Sequence, residues 1–222
     1  MSWSEMHEWW LDELASDPAY EKVVTPLLVE VLAPEAGHLY CDIGCGEGRV
    51  MRSLGAMGAA AIGVDVSEEL VARAGPGAFV AEAPPLPIRD RSFDGVYLVL
   101  VLEHMPDHRD VLSEASRVVR AGGKLAIVMN HPVWTAPEST PITDDDGEIL
   151  WRPGQYFSNG SSEMPAGDDN HLVFHHRTMA SLLQTAADVG WSLERIVERP
   201  HHDLEGQEGI PRLLGCCWRL LP

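Results

Sequence analysis

Between His38 and Met129, short apolar runs of strand character alternate with helical segments, and three glycines crowd the first bend. Residues 38–43 (HLYCDI) read as a strand, Gly44-Cys45-Gly46-Glu47-Gly48 as a bend and 47–58 as a helix. A second strand covers 60–65. Ser67 then stands where a hydroxyl caps the next helix, with Glu68 and Glu69 in its first turn. Further strands fall at 78–81 and 93–99, a helix at about 107–119, a Gly122-Gly123 turn, and a fifth strand at 124–129. This rhythm implies βαβ units and a parallel sheet. Right-handed crossovers then leave the carboxyl ends of the strands as the ligand edge.

The flanks are less regular. Trp3, Met6, Trp9, Trp10 and Leu14 form a helical stripe that Asp17-Pro18 breaks. A second helix over about 19–33 carries Val23, Val24, Leu27, Leu28, Val31 and Leu32, with Pro26 marking a kink or a restart. Residues 130–172 hold several Pro and Gly and the triple Asp144-Asp145-Asp146, without clear periodicity. That length suits either a flexible surface insertion or a lid. A helix at 178–187, a strand at 191–197, a polar linker at 199–210 and a closing strand at 213–220 complete the chain. We divide this single domain (1–222) into a helical cap (1–35), a cofactor-binding core (36–130), a substrate-side insertion (131–175) and the C-terminal part of the core (176–222).

Charge narrows the function. The formal charge of -18 repels polyanions, which argues against general nucleic-acid binding and leaves room only for a local basic patch. Four cysteines make no disulfide scaffold, and no stretch reaches the roughly 18 apolar residues a membrane span needs. The opening MSWSEMHEWW lacks the features of a signal peptide, so a soluble cytoplasmic protein is expected.

The bend at 44–48 is neither a dinucleotide fingerprint, since its glycines are spaced two and two, nor a P-loop, since no Gly-Lys-Ser/Thr follows. It is either a bare tight turn or a ligand loop whose following helix aims free amides at the ligand. Asp65 ends the second strand, 17 residues past Gly48. Its two oxygens suit a pair of ribose hydroxyls and would repel a phosphate, which points to a ribonucleoside without a pyrophosphate.

LYCDIGCGEGRV (39–50), IGVDVS (62–67), EAPPLPIRDRSFDGVYLVLVLEHMPD (82–107) and EASRVVRAGGKLAIVM (114–129) together resemble the class I S-adenosylmethionine-dependent methyltransferases, near the ubiquinone and menaquinone biosynthesis branch. The likeness extends loosely through 176–197. It implies a three-layer α/β/α Rossmann-like sandwich, with a seven-stranded sheet in order 3-2-1-4-5-7-6 and an antiparallel last strand. It also implies S-adenosylmethionine as cofactor, S-adenosylhomocysteine as product and a small-molecule methyl acceptor. By the resemblance, Gly44, Cys45 (through its backbone) and Gly46 pass under the methionine part, and Asp42 holds its amino group. Asp65 takes the ribose, Val66 packs on the adenine, Glu82 and Ala83 meet the adenine edge, and Val99 and Leu100 lie by the transfer site. Glu82 departs from the usual Asp by one methylene.

Methyl transfer needs alignment, exclusion of water and, for hydroxyl or ammonium acceptors, a base. His131, after the fifth strand, is the first candidate base, and His104, in Glu103-His104, is either catalytic or a scaffold for its loop. His171, His175 and His176 with Asp168 and Asp169 have no firm metal-ligand spacing, so no metal is expected; Asp144–Asp146 read as a solvated turn. Trp10, Trp134, Tyr156 and Arg177 are the candidate substrate contacts, alongside Trp3, Trp9, Trp151 and Phe157 as an aromatic cap. The alternatives are a non-catalytic nucleoside-binding or protein-interaction domain on the same core and, less well matched by the glycines, a nicotinamide enzyme. The acceptor atom and the oligomeric state are not encoded in any motif.

Overall fold

The computed structural model describes residues 3, 6–16, 18–166, 170–200 and 209–222. Asp17, the Leu14 side chain, Asp168, Asp169 and most of the expected 199–210 linker lie outside them.

Helix α1 (His7–Ser16) is followed by a π-helical turn (Tyr20–Val24) and α2 (Thr25–Leu32). The alternating core then runs β1 (Leu39–Ile43), α3 (Arg49–Ala56), β2 (Ala60–Asp65), α4 (Glu68–Ala74), β3 (Ala78–Val80), β4 (Phe93–Val99), a 3-10 turn (Leu102–His104), α5 (His108–Val118) and β5 (Val119–Asn130). Next come α6 (Pro132–Thr135), β6 (Thr140–Thr143), β7 (Ile149–Arg152), β8 (Ser161–Ala166), β9 (Asn170–His175), α7 (Met179–Asp188), β10 (Trp191–Pro200) and β11 (Pro211–Leu220).

One seven-stranded sheet runs β10-β11-β5-β4-β1-β2-β3. β1 pairs in parallel with both β2 and β4, and β11 is antiparallel to β5 and to β10. This is the expected order. The period of two sorts the strand residues into two cores. Cys41, Val96, Leu98, Leu125 and Ile127 pack on the face covered by α5 and α7, whereas Tyr40, Tyr97, Val99, Ala126 and Val128 meet α2 and α3. Burial on both faces explains why the central strands read as continuous apolar runs.

One alternative is decided and two local expectations change. Pro26, which has no N–H to donate, restarts the helix: Thr25 N–H reaches back to Tyr20 O in a wide turn before α2 begins. Gly122-Gly123 lie inside β5, where the register with β4 slips from Phe93↔Val119 to Gly95↔Lys124. The 130–172 region holds α6 and two antiparallel hairpins, β6–β7 and β8–β9. Their strands are too short and too exposed to carry a hydrophobic period, hence their silence in the sequence. No helix among the described residues is long and apolar enough to cross a membrane.

Candidate active site

At the carboxyl ends of β1, β2 and β4 lies a cleft of about 810 Å³. The chain turns into it at Gly44, where Gly44 N and Cys45 N both donate to Val64 O at 2.8 and 3.0 Å, pinning the bend to β2. Gly44 has φ +78°, and a Cβ there would lie 2.4 Å from Val101 Cγ2, so the floor closes only over glycine. Gly46 has φ +52°, but a Cβ there would meet nothing nearer than Trp10 Nε1 at 3.9 Å. Glycine at 46 leaves that space to a ligand.

Asp65 braces this floor. Its Oδ2 accepts from Gly46 N at 2.8 Å and its Oδ1 from Ser67 N at 2.9 Å, each oxygen keeping further lone-pair capacity. Ser67 in turn caps α4 through Leu70 N at 3.3 Å. Asp42 is 2% exposed, and burial pushes its carboxyl well above the usual carboxylate range. The neighbouring Tyr97 hydroxyl pulls the other way, while Asp65 and Glu47 add to the rise. Asp42 Oδ2 and the Tyr97 hydroxyl approach without reaching hydrogen-bond geometry, so both stay buried and unsatisfied.

The lining is strongly acidic. Asp42, Glu47, Asp65, Glu82, Asp107 and Asp110 face one cation, Arg49, which Glu47 already holds at 2.7 Å. Such a wall suits a cationic group and repels a polyphosphate. The orphaned Asp42 oxygen and the open space over Gly46 fit the ammonium-bearing end and the sulfonium charge of S-adenosylmethionine.

All ten residues expected for the cofactor line this one cleft: Asp42, Gly44, Cys45, Gly46, Asp65, Val66, Glu82, Ala83, Val99 and Leu100. Trp10 and His104 join them. His104 is the single histidine among the lining residues. Its Nδ1 lies 2.9 Å from Val173 O, an atom that only accepts, so Nδ1 carries the proton and Nε2 keeps a lone pair. Its ring meets Trp3 edge-on (centroids 5.1 Å apart) and Phe174 at a tilt (4.7 Å).

His131, Trp134, Tyr156 and Arg177 do not line the cleft. His131 is buried and engaged at both nitrogens. Nδ1 accepts from Val133 N at 3.1 Å, capping α6, and Nε2 meets Glu198 Oε1 at 2.8 Å. Burial lowers its pKa and Glu198 opposes this. With both nitrogens engaged, it offers no base to an acceptor in the cleft. Trp134 stacks on Trp151 at 4.4 Å, and the Arg212 guanidinium lies 4.5 Å over its ring. The Tyr156 hydroxyl accepts from Met179 N at 3.2 Å. Arg177 donates to Leu102 O, Met105 O and Pro106 O, tying down the turn that presents His104. These four are positioned as framework around the cleft.

Sequence reasoning missed Tyr20, Arg49 and Val101. Tyr20 reaches the cleft from the π turn, off the 3.6 period, and carries the Arg49 guanidinium 5.0 Å over its ring. Arg49, the first helical residue after the glycine loop, was the one with a readable signal. Burial raises the Cys41, Cys45, Cys216 and Cys217 thiols, which removes them as nucleophiles. Among the described residues no three metal-ligating groups converge.

This sheet order, with an acid-lined cleft over a glycine bend at its carboxyl edge, is the fold of the class I S-adenosylmethionine-dependent methyltransferases. Residues 41–127 match the family model described as a methyltransferase domain. The 27-O-demethylrifamycin SV methyltransferase of Amycolatopsis mediterranei is 36% identical over 133 residues, covering 54% of this chain and 49% of its own. A ubiquinone biosynthesis O-methyltransferase of Paracidovorax citrulli is 30% identical over 131 residues, covering 53% and 54%. The chain thus spans about half the length of these relatives, whose names do not single out the quinone branch. A crystal structure of an S-adenosylmethionine-dependent methyltransferase from Mesorhizobium loti superimposes with TM-score 0.75 at 24% identity, covering 93% of this chain and 99% of that one.

Proposed function

We propose that this chain transfers a methyl group from S-adenosylmethionine to a small-molecule acceptor by in-line displacement. The observation that carries the reading is the convergence of the glycine floor, Asp65 and the orphaned Asp42 carboxylate in a single cleft. Bound there, the cofactor supplies a methyl group already activated by a sulfonium. Asp42 and the bend at 44–46 hold the methionine end, Asp65 the ribose, and Val66, Glu82 and Ala83 the adenine. Val99 and Leu100 flank the transfer point. The His104 Nε2 lone pair takes the acceptor's proton. Trp3 and Trp10 form an apolar wall that excludes water. A cleft of about 810 Å³ falls in the size range of small-molecule sites, and the charge of -18 disfavours nucleic acid. The two relatives' names, a 27-O-demethylrifamycin SV methyltransferase and a ubiquinone biosynthesis O-methyltransferase, support a small acceptor.

Calorimetric titration of the full chain with S-adenosylmethionine, S-adenosylhomocysteine and NAD tests the cofactor. Saturable binding of the first two and none of NAD is expected; no binding of either adenosyl compound refutes the reading. Release of S-adenosylhomocysteine with a panel of hydroxyl and amine acceptors then separates an enzyme from a nucleoside-binding domain. Binding without turnover on any acceptor class favours the latter.

A further inference from the structure

A second, smaller cavity of about 200 Å³ shares Pro106 with the cleft and is lined by Pro106, His108, Asn159, Gly160, His175, His176, Arg177 and Ser181. It opens at the base of the β8–β9 hairpin, where Ser161 pairs with His175. In a chain of charge -18, four of its eight lining residues are arginine or histidine.

Arg177 is 6% exposed and makes no ion pair among the described residues; its Nη atoms are spent on backbone carbonyls, which balance a full charge only in part. Glu103 and Asp107 are the acidic groups whose fields reach it. Glu103 gives Oε1 to Asn130 and keeps Oε2 buried without a hydrogen-bond partner among the described residues, so it offsets part of the charge through its field alone; Asp107 accepts from the amides of Arg109 and Asp110. Arg109, also near, is paired with Asp188 at 2.8 Å. Donors remain open. His108 binds Thr185 Oγ1 through Nε2 at 3.1 Å, leaving Nδ1. The His175 ring, the Asn159 carboxamide and Ser181 Oγ make no hydrogen bond to a described residue. His176 is not available, since Tyr156 O and Thr135 Oγ1 occupy both its nitrogens.

We propose that this cavity is a binding site for a small doubly charged tetrahedral oxyanion of the phosphate or sulfate type, held by His108, His175, Asn159 and Ser181 in the field of Arg177. The ligand would join three segments: the turn that carries His104, the base of the hairpin and the start of α7. The electrostatics agree. Burial, then the Arg177 charge, depresses both His108 and His175; Arg109 adds to the first, Asp107 opposes there, and His104 adds to the second. An anion reverses that repulsion, so its binding takes up protons and tightens as pH falls.

Sulfate is the probe, because it does not titrate between pH 5 and 8. The full chain, without cofactor, is titrated with sulfate at ionic strength held constant by chloride. Histidine ring signals are followed by ¹H–¹⁵N spectroscopy. Saturable shifts confined to the His108 and His175 rings are expected, with His131 unmoved. The affinity should rise by up to about tenfold per pH unit for each proton taken up. The double variant His175→Gln with Ser181→Ala should bind at least about tenfold more weakly. If that variant melts differently from the parent in chloride, Asn159→Ala, at an exposed position, replaces it and should also weaken binding. Linear, unsaturable shifts, equal binding of acetate, or undiminished binding in the folded variants would overturn the proposal. None of these outcomes depends on whether S-adenosylmethionine binds.

Discussion

Replacing Gly44 with alanine isolates what the glycine floor contributes. Two costs add. A non-glycine residue at φ +78° loses about 1–2 kcal/mol in the left-handed region. The new methyl would also sit 2.4 Å from Val101 Cγ2 and 2.7 Å from Cγ1, an overpacking that costs about 1–3 kcal/mol. Their total, about 2–5 kcal/mol, corresponds to a fall in Tm of about 4–20 °C for a chain of this size. The diagnostic step is a double-mutant cycle. Val101→Ala removes both Cγ atoms, so Gly44→Ala placed in that background should recover the overpacking share, a coupling of about 1–3 kcal/mol, and keep the backbone share. Melting followed by circular dichroism reads the stability, and calorimetry with S-adenosylmethionine reads the floor. Strict additivity of the two substitutions would refute the claim that Gly44 is required by its contact with Val101.

Asp42→Asn should raise the stability of the ligand-free chain at pH 7 by about 1–3 kcal/mol while abolishing S-adenosylmethionine binding. Because the folded-state pKa of Asp42 is raised, the wild-type penalty builds as pH climbs above 3.8, so the variant's gain should vanish below about pH 4. His104→Gln should lower turnover by about 10²–10⁴ with cofactor affinity unchanged, whereas His131→Gln should change Tm and leave turnover near wild type. The reverse pattern would restore His131 as the base. His108 is held near a pKa of about 4 against an ordinary 6.5. The unfolded chain therefore binds its proton more readily, and stability present above pH 6.5 is lost as pH falls toward 4. A His108→Gln variant should show a flatter Tm profile across that window, and an unchanged slope would contradict it.

Much of the proposed cofactor side is readable along the chain because it is built from neighbours in sequence. The bend at 44–48, Asp65 and Ser67 sit at the ends of two adjacent parallel strands, so alternation alone brings them to one edge. The acceptor side is different. His131 and His104 both follow strands at that edge, and nothing local separates them. The structure gives the two rings different partners 67 and 69 residues away in sequence, Glu198 for His131 and Val173 O for His104, and the choice of His104 as base is the proposal those contacts support.

The amino-acid order by itself determines the parallel sheet, its ligand edge and the acid-and-glycine pair, since strand period, helix caps and glycine's access to positive φ act within a few residues. Only the tertiary structure decides that Tyr20 enters the cleft, that Trp134, Tyr156 and Arg177 stand outside its lining, and that a histidine-lined cavity forms behind Pro106. Those outcomes depend on which distant groups meet and on what each loses in leaving water, quantities no local pattern encodes.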